Sequence, residues 1–171
     1  EARDCHNQYL WTATGLAHWL SLHEDHPRAQ ETRDALEKVL DFWFSQNGED
    51  GSSPYMQSDP YLRGVTPYYF SRCIAFAWYV MEKAQLLRSD REARLMTAAR
   101  FLAKLLKRDG TKEMALEAKR YYFWGRSEAG SHPYDIYVFW KMFEQTGDNF
   151  WVDAATLSLK PKIHIRDSGL L

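Results

Sequence analysis

Residues 68–87 read YYFSRCIAFAWYVMEKAQLL, and this stretch decides the fold. Phe70, Cys73, Ile74, Phe76, Trp78, Tyr79, Val80 and Met81 are distributed around most of a helical circumference instead of along one stripe. A helix apolar on every side is expected to be covered on every side. Two other stretches have the same character. Residues 7–22 carry Tyr9, Leu10, Trp11, Ala13, Leu16, Ala17, Trp19 and Leu20, and residues 134–143 carry Ile136, Tyr137, Val138, Phe139, Trp140 and Met142.

Between these lie helices with a single apolar stripe. Leu36, Val39, Leu40 and Trp43 follow the i, i+3, i+4, i+7 rule, with Arg33, Asp34, Glu37 and Lys38 on the other faces. Leu95, Ala98, Ala99, Leu102, Leu105 and Leu106 form a second stripe, and a third starts near Asp148 and includes Phe150, Trp151, Ala154, Ala155 and Leu157. The order is covered, amphipathic, three times over: an inner helix followed by an outer one. Strand signals are nearly absent; Asn47-Gly48 ends a helical pattern and does not join two alternating apolar runs.

Punctuation agrees with this division. Pro27 suits a first helical turn, Ser89 and Glu92 have capping-box spacing, and Thr66 and Ser131 precede prolines at expected helix starts. Gly48, Gly110 and Gly147 stand just past apolar patterns, where a left-handed residue is wanted. Trp19 and Trp78 are 59 residues apart, as are Asp50-Gly51 and Asp109-Gly110, and Trp78 to Trp140 is 62. A period near 60 means stacked α-hairpins. The inner-to-outer links are short, whereas the returns, residues 47–66 and 109–132, are long and emerge at one end. Long loops in a compact domain are usually functional, so a site is expected there.

Composition narrows the function. The 171 residues hold 22 Lys plus Arg against 23 Asp plus Glu, a net charge of -1, which argues against a dedicated nucleic-acid binder. Every long apolar run is broken by charge or His, so no membrane span is expected. Cys5 and Cys73 read as two buried free thiols. His18, His23 and His26 are spaced too unevenly for a metal site, and no nucleotide-binding, zinc-protease or serine-hydrolase motif occurs; neither metal nor cofactor is expected. The chain opens on Glu1 without a signal-peptide pattern and reads as processed or excised from a longer one.

Aromatic residues make up 15%, and four of six prolines directly precede Tyr: Tyr55, Tyr61, Tyr68 and Tyr134. Proline fixes the backbone, so each ring has less freedom to lose on binding. The same returns carry Asp59, Arg63, Trp124, Arg126, Glu128 and His132. Rings suit the apolar faces of pyranoses, and the polar groups suit hydroxyls or carboxylates. His132-Pro133-Tyr134-Asp135 is the densest set of titratable groups: His as base, Tyr as proton carrier, Asp as orienter. The competing reading of that set is a solvated loop His beside helix-start electrostatics. Asp50 and Asp59 read first as turn residues and second as half of a glycosidase carboxylate pair.

The alternation of inner and outer helices, the period near 60, and the wording Asp50-Gly51-Ser52-Ser53-Pro54-Tyr55 and Gly130-Ser131-His132-Pro133-Tyr134-Asp135 resemble the α/α-toroid, or six-hairpin, proteins. These include many glycoside hydrolases and polysaccharide lyases. The resemblance implies a carbohydrate-binding groove built by loops at the mouth and transfers no catalytic residue. Three hairpins are half such a ring, and the exposed flanks imply a homo-oligomer, the missing remainder of a longer chain, or a shorter helical array.

The expected fold is all-α: six helices in three α-hairpin repeats over residues 1–159, as a partial α/α toroid or short helical array, followed by an extended tail over 160–171. The expected function is hydrolysis or β-elimination of a polysaccharide or oligosaccharide. His132, Tyr134, Asp135 and Glu128 are the catalytic candidates, and Arg126, Trp124, Tyr61, Arg63, Tyr68 and Asp59 the substrate-binding ones. The alternative is a non-catalytic helical-repeat module that binds protein or glycan. A toroid handling isoprenoids is weaker, because an aspartate-rich diphosphate motif is absent from the sequence.

Overall fold

The structure is a computed structural model that describes residues 5–54, 65–113 and 132–167, with the side chains of residues 132 and 161–167 left aside. Among the described residues it is all-α, with six helices in chain order: α1 His6–Leu22, α2 Ala29–Ser45, α3 Pro67–Lys83, α4 Ser89–Lys104, α5 His132–Thr146 and α6 Phe150–Asp167. Leu106 and Lys112 form an isolated antiparallel β-bridge.

The helices form two layers. α3 is central, packed against α1 on one side and α5 on the other, while α2, α4 and α6 each back an inner helix. Cross-contacts give the directions. His18 meets Tyr79, Glu24 meets Gln85, Phe76 meets Tyr134 and Glu82 meets Lys141, so α1, α3 and α5 run parallel and nearly level. Tyr9 packs on Phe42 and Trp19 on His26, so α2 returns antiparallel to α1. The repeat is realised as 61 residues, the separation of His18 and Tyr79, and both ends of α3 follow those of α1 by that interval.

One apolar cluster joins all six helices, with Leu10, Leu20, Trp43, Trp78, Phe139 and Trp151 at its centre. The layers are also clamped by charge. Buried Arg91 of α4 donates to Asp41 of α2 at 2.7 Å and to the carbonyl of Leu86, beyond the end of α3, at 3.2 Å. α3 stops at a left-handed turn: Gln85 has φ 58°, and the Leu86 N–H closes back onto the Met81 carbonyl at 2.8 Å.

The two described return turns are the same device used twice. In Asp50-Gly51-Ser52, Asp50 Oδ1 accepts from the Ser52 N–H and hydroxyl; in Asp109-Gly110-Thr111, Asp109 Oδ1 accepts from Thr111 in the same way. Gly51 and Gly110 have φ of 86° and 82°. Gly51 is required twice over, because a Cβ there would lie 2.5 Å from the Thr97 backbone of α4. Cys5 and Cys73 are buried and free, and burial, with Cys5 nearby, pushes the Cys73 thiol far up.

Several local expectations are corrected. The left-handed glycine ending the first hairpin is Gly51, not Gly48; Gly48 accepts the Gly51 N–H and donates to the Ser52 carbonyl. Ser89 is the first helical residue of α4 and its side chain makes no cap; Arg88 precedes it and pairs with Asp90 instead. The tail is not extended from residue 160, since α6 continues to Asp167. Pro161 has no N–H to give, so one backbone bond is forgone, and the helix persists because its flanks keep helical pairing. Finally, α1 is not covered on every side: Trp11, Leu16 and Leu22 are 68%, 44% and 66% exposed.

Candidate functional site

The central helix shows where the site lies. Ten of the 17 residues of α3 are buried, while Tyr68, Tyr69, Arg72, Phe76 and Tyr79 are half-buried. At helical spacing Tyr68, Arg72, Phe76 and Tyr79 form one stripe, facing away from the outer layer. The neighbouring inner helices add to it: Trp11, Thr14, Gly15 and His18 from α1, and Pro133, Tyr134 and Tyr137 from α5. With Ala75, Phe76 and Tyr79 of α3, these residues line an open cleft of about 550 Å³ between the inner helices. That size falls within the range of small-ligand pockets, about 300–1,000 Å³.

The rings are fixed by mutual contacts. Phe76 meets Tyr134 edge to face, with centroids 5.4 Å apart. The Arg72 guanidinium sits 4.1 Å over the Tyr68 ring and 5.3 Å from that of Tyr134, and it donates to the Tyr68 hydroxyl. This is the end where inner helices begin. Further along, His18 Nδ1 and the Tyr79 hydroxyl are 3.1 Å apart, bridging α1 and α3 across the cleft floor. Between α3 and α5, Lys141 Nζ binds Glu82 at 2.8 Å and Glu144 at 3.1 Å. Burial, reinforced by Glu82, pushes Tyr137 up to about 12, so its hydroxyl stays protonated through the physiological range. Burial lowers Lys141, but its bonds to the two glutamates outweigh that and leave it raised. The chemistry on offer is aromatic walls with hydroxyl, imidazole and charged groups at the edges.

Few of the expected site residues come together here. Tyr134 lines the cleft, and Tyr68 belongs to the stripe above it. Asp135 faces the other way: fully buried, it forms an ion pair with Lys112, itself fully buried, in the bridge that follows α4. Apart from each other, neither has a hydrogen-bond partner among the described residues. His132 begins α5, and its side chain lies outside the description. Glu128, Arg126, Trp124, Tyr61, Arg63 and Asp59 lie outside the described residues. Asp50 is a turn residue, held below the usual carboxylate range by its bonds from Ser52.

The sequence reading missed Trp11, Gly15, His18, Phe76, Tyr79 and Tyr137 as cleft residues. It assigned the inner helices to core and considered His18 only as a metal ligand. Aligning the helices at 61 residues, the His18–Tyr79 interval, was the signal that finds them. Comparison of the chain with protein-family models, with curated proteins and with solved structures finds no match.

Proposed function

We propose that this is a carbohydrate-active protein that holds a polysaccharide or oligosaccharide in the cleft between α1, α3 and α5. The observation that supports this reading is the cleft of about 550 Å³, walled by Trp11, Phe76, Tyr79, Tyr134 and Tyr137, with polar groups confined to its edges and floor. Fixed rings match the apolar faces of pyranoses and lose little entropy when they are covered. The imidazole and phenols at the edges match the hydroxyls that project from the ring plane. Hydrolysis or β-elimination would then draw on the cleft's titratable groups, Tyr134 and the His18–Tyr79 pair first, together with the return segments that carry Asp59, Arg126 and Glu128.

A non-catalytic glycan-binding reading has one observation in its favour. Lys141, one helical turn beyond the cleft residue Tyr137, is already bound to Glu82 and Glu144. The two readings separate in one experiment. The chain is run through gels containing polygalacturonate or a neutral β-glucan, and the same mixtures are assayed for unsaturated products and new reducing ends. Retardation with product supports an enzyme; retardation without product supports the binding module. Migration unchanged by every glycan rejects a saccharide site. Trp11→Ala is expected to weaken retardation about tenfold, the usual scale for one aromatic anchor.

A further inference from the structure

Gly15 has no structural reason to be glycine. It lies mid-helix in α1, its φ is not positive, and a Cβ built on it would meet nothing within 4 Å. Glycine at such a place destabilises a helix relative to alanine. Its position in the repeat is informative. At the same 61-residue interval that pairs His18 with Tyr79, Gly15 corresponds to Phe76 of α3, which in turn meets Tyr134 of α5, and all three line the cleft. Two repeats place an aromatic ring at this level, and the first leaves bare backbone between Trp11 and His18.

We propose that Gly15 is the specificity-determining residue of the cleft: a pyranose ring takes the place that the Phe76 and Tyr134 side chains take in the other repeats. The inference rests on the saccharide reading above and specifies it. The ring packs over the α1 backbone at Gly15, flanked by Trp11 on the side of the helix start and by His18 with Tyr79 on the other. The missing side chain sets the width of the slot. Because Thr14 and Trp11 already border that space, a side chain added at residue 15 enters the cleft and does not enter the core.

The test uses Gly15→Ala and Gly15→Phe beside the unaltered chain, with thermal unfolding and titration by oligogalacturonate and by a neutral β-glucan oligomer, read from tryptophan fluorescence. Gly15→Ala is expected to melt about 2–4 °C higher, from helix propensity alone, while binding several-fold more weakly. Gly15→Phe is expected to keep the native circular dichroism and to lose at least tenfold in affinity. A folded Gly15→Phe protein that binds as tightly as the original overturns the proposal. So does a Gly15→Ala protein that melts lower, or a Gly15→Phe protein that fails to fold, since either means the site is packed and not open. If the unaltered chain binds neither oligomer, the saccharide reading itself falls; normal binding with insensitive variants removes only the role of Gly15.

Discussion

At the scale of single residues, the two kinds of glycine turn make a controlled comparison. Gly51 and Gly147 both have positive φ, but a Cβ on Gly147 meets open space, whereas one on Gly51 would strike the Thr97 backbone. Gly147→Ala is expected to cost about 1–2 kcal/mol, the strain of a left-handed alanine. Gly51→Ala adds displacement of α4 and is expected to cost more than about 2 kcal/mol; urea unfolding of both variants measures the gap. The Lys112–Asp135 pair makes a second test. Lys112→Met leaves a buried carboxylate without its cation and is expected to cost about 3–5 kcal/mol, and the double variant Lys112→Met with Asp135→Leu is expected to recover most of that loss. A double variant no more stable than the single one would show that the loss does not come from the unpaired carboxylate.

Among elements, the return turns carry a pH dependence. Hydrogen bonds from Ser52 hold the Asp50 carboxylate below its ordinary range, and Thr111 does the same for Asp109. A depressed folded-state pKa contributes stability above the unfolded value, about 4, and loses it as pH falls through the lower folded value. Stability is therefore expected to drop below about pH 4, and Asp50→Asn with Asp109→Asn is expected to flatten that drop in acid unfolding curves.

The elements also show what a sequence can carry. The inner and outer helices were legible because hydrophobic circumference reports how many neighbours a helix has: Leu36, Leu40 and Trp43 fill one stripe, while Ile74, Trp78 and Met81 spread around α3. Which flank of an inner helix stays open was not legible, because Trp11 in water and Leu10 in the core look alike in a pattern. The open flank depends on how the inner helices are arranged around the cleft, and that is not local. Tyr134 was singled out for its proline and its company; it reached the cleft because α5 turns that face toward Phe76. Asp135, one residue on, is turned about 100° away and met Lys112 instead.

For the molecule as a whole, a single apolar cluster crosses all three hairpins, with Leu36, Ala77 and Met142 each fully buried in it. The hairpins are thus expected to unfold together although they are repeats. Far-ultraviolet circular dichroism and tryptophan fluorescence should give one superimposable transition in urea, and separated midpoints would reveal hairpins melting independently. The pattern of helix contacts has another consequence. The principal contacts of each helix are with helices one or two places away along the chain, so no early segment waits for a distant one before it finds shelter. During synthesis α1 and α2 can pair as they leave the ribosome and receive α3 as it emerges, and each later hairpin is laid on a surface already in place.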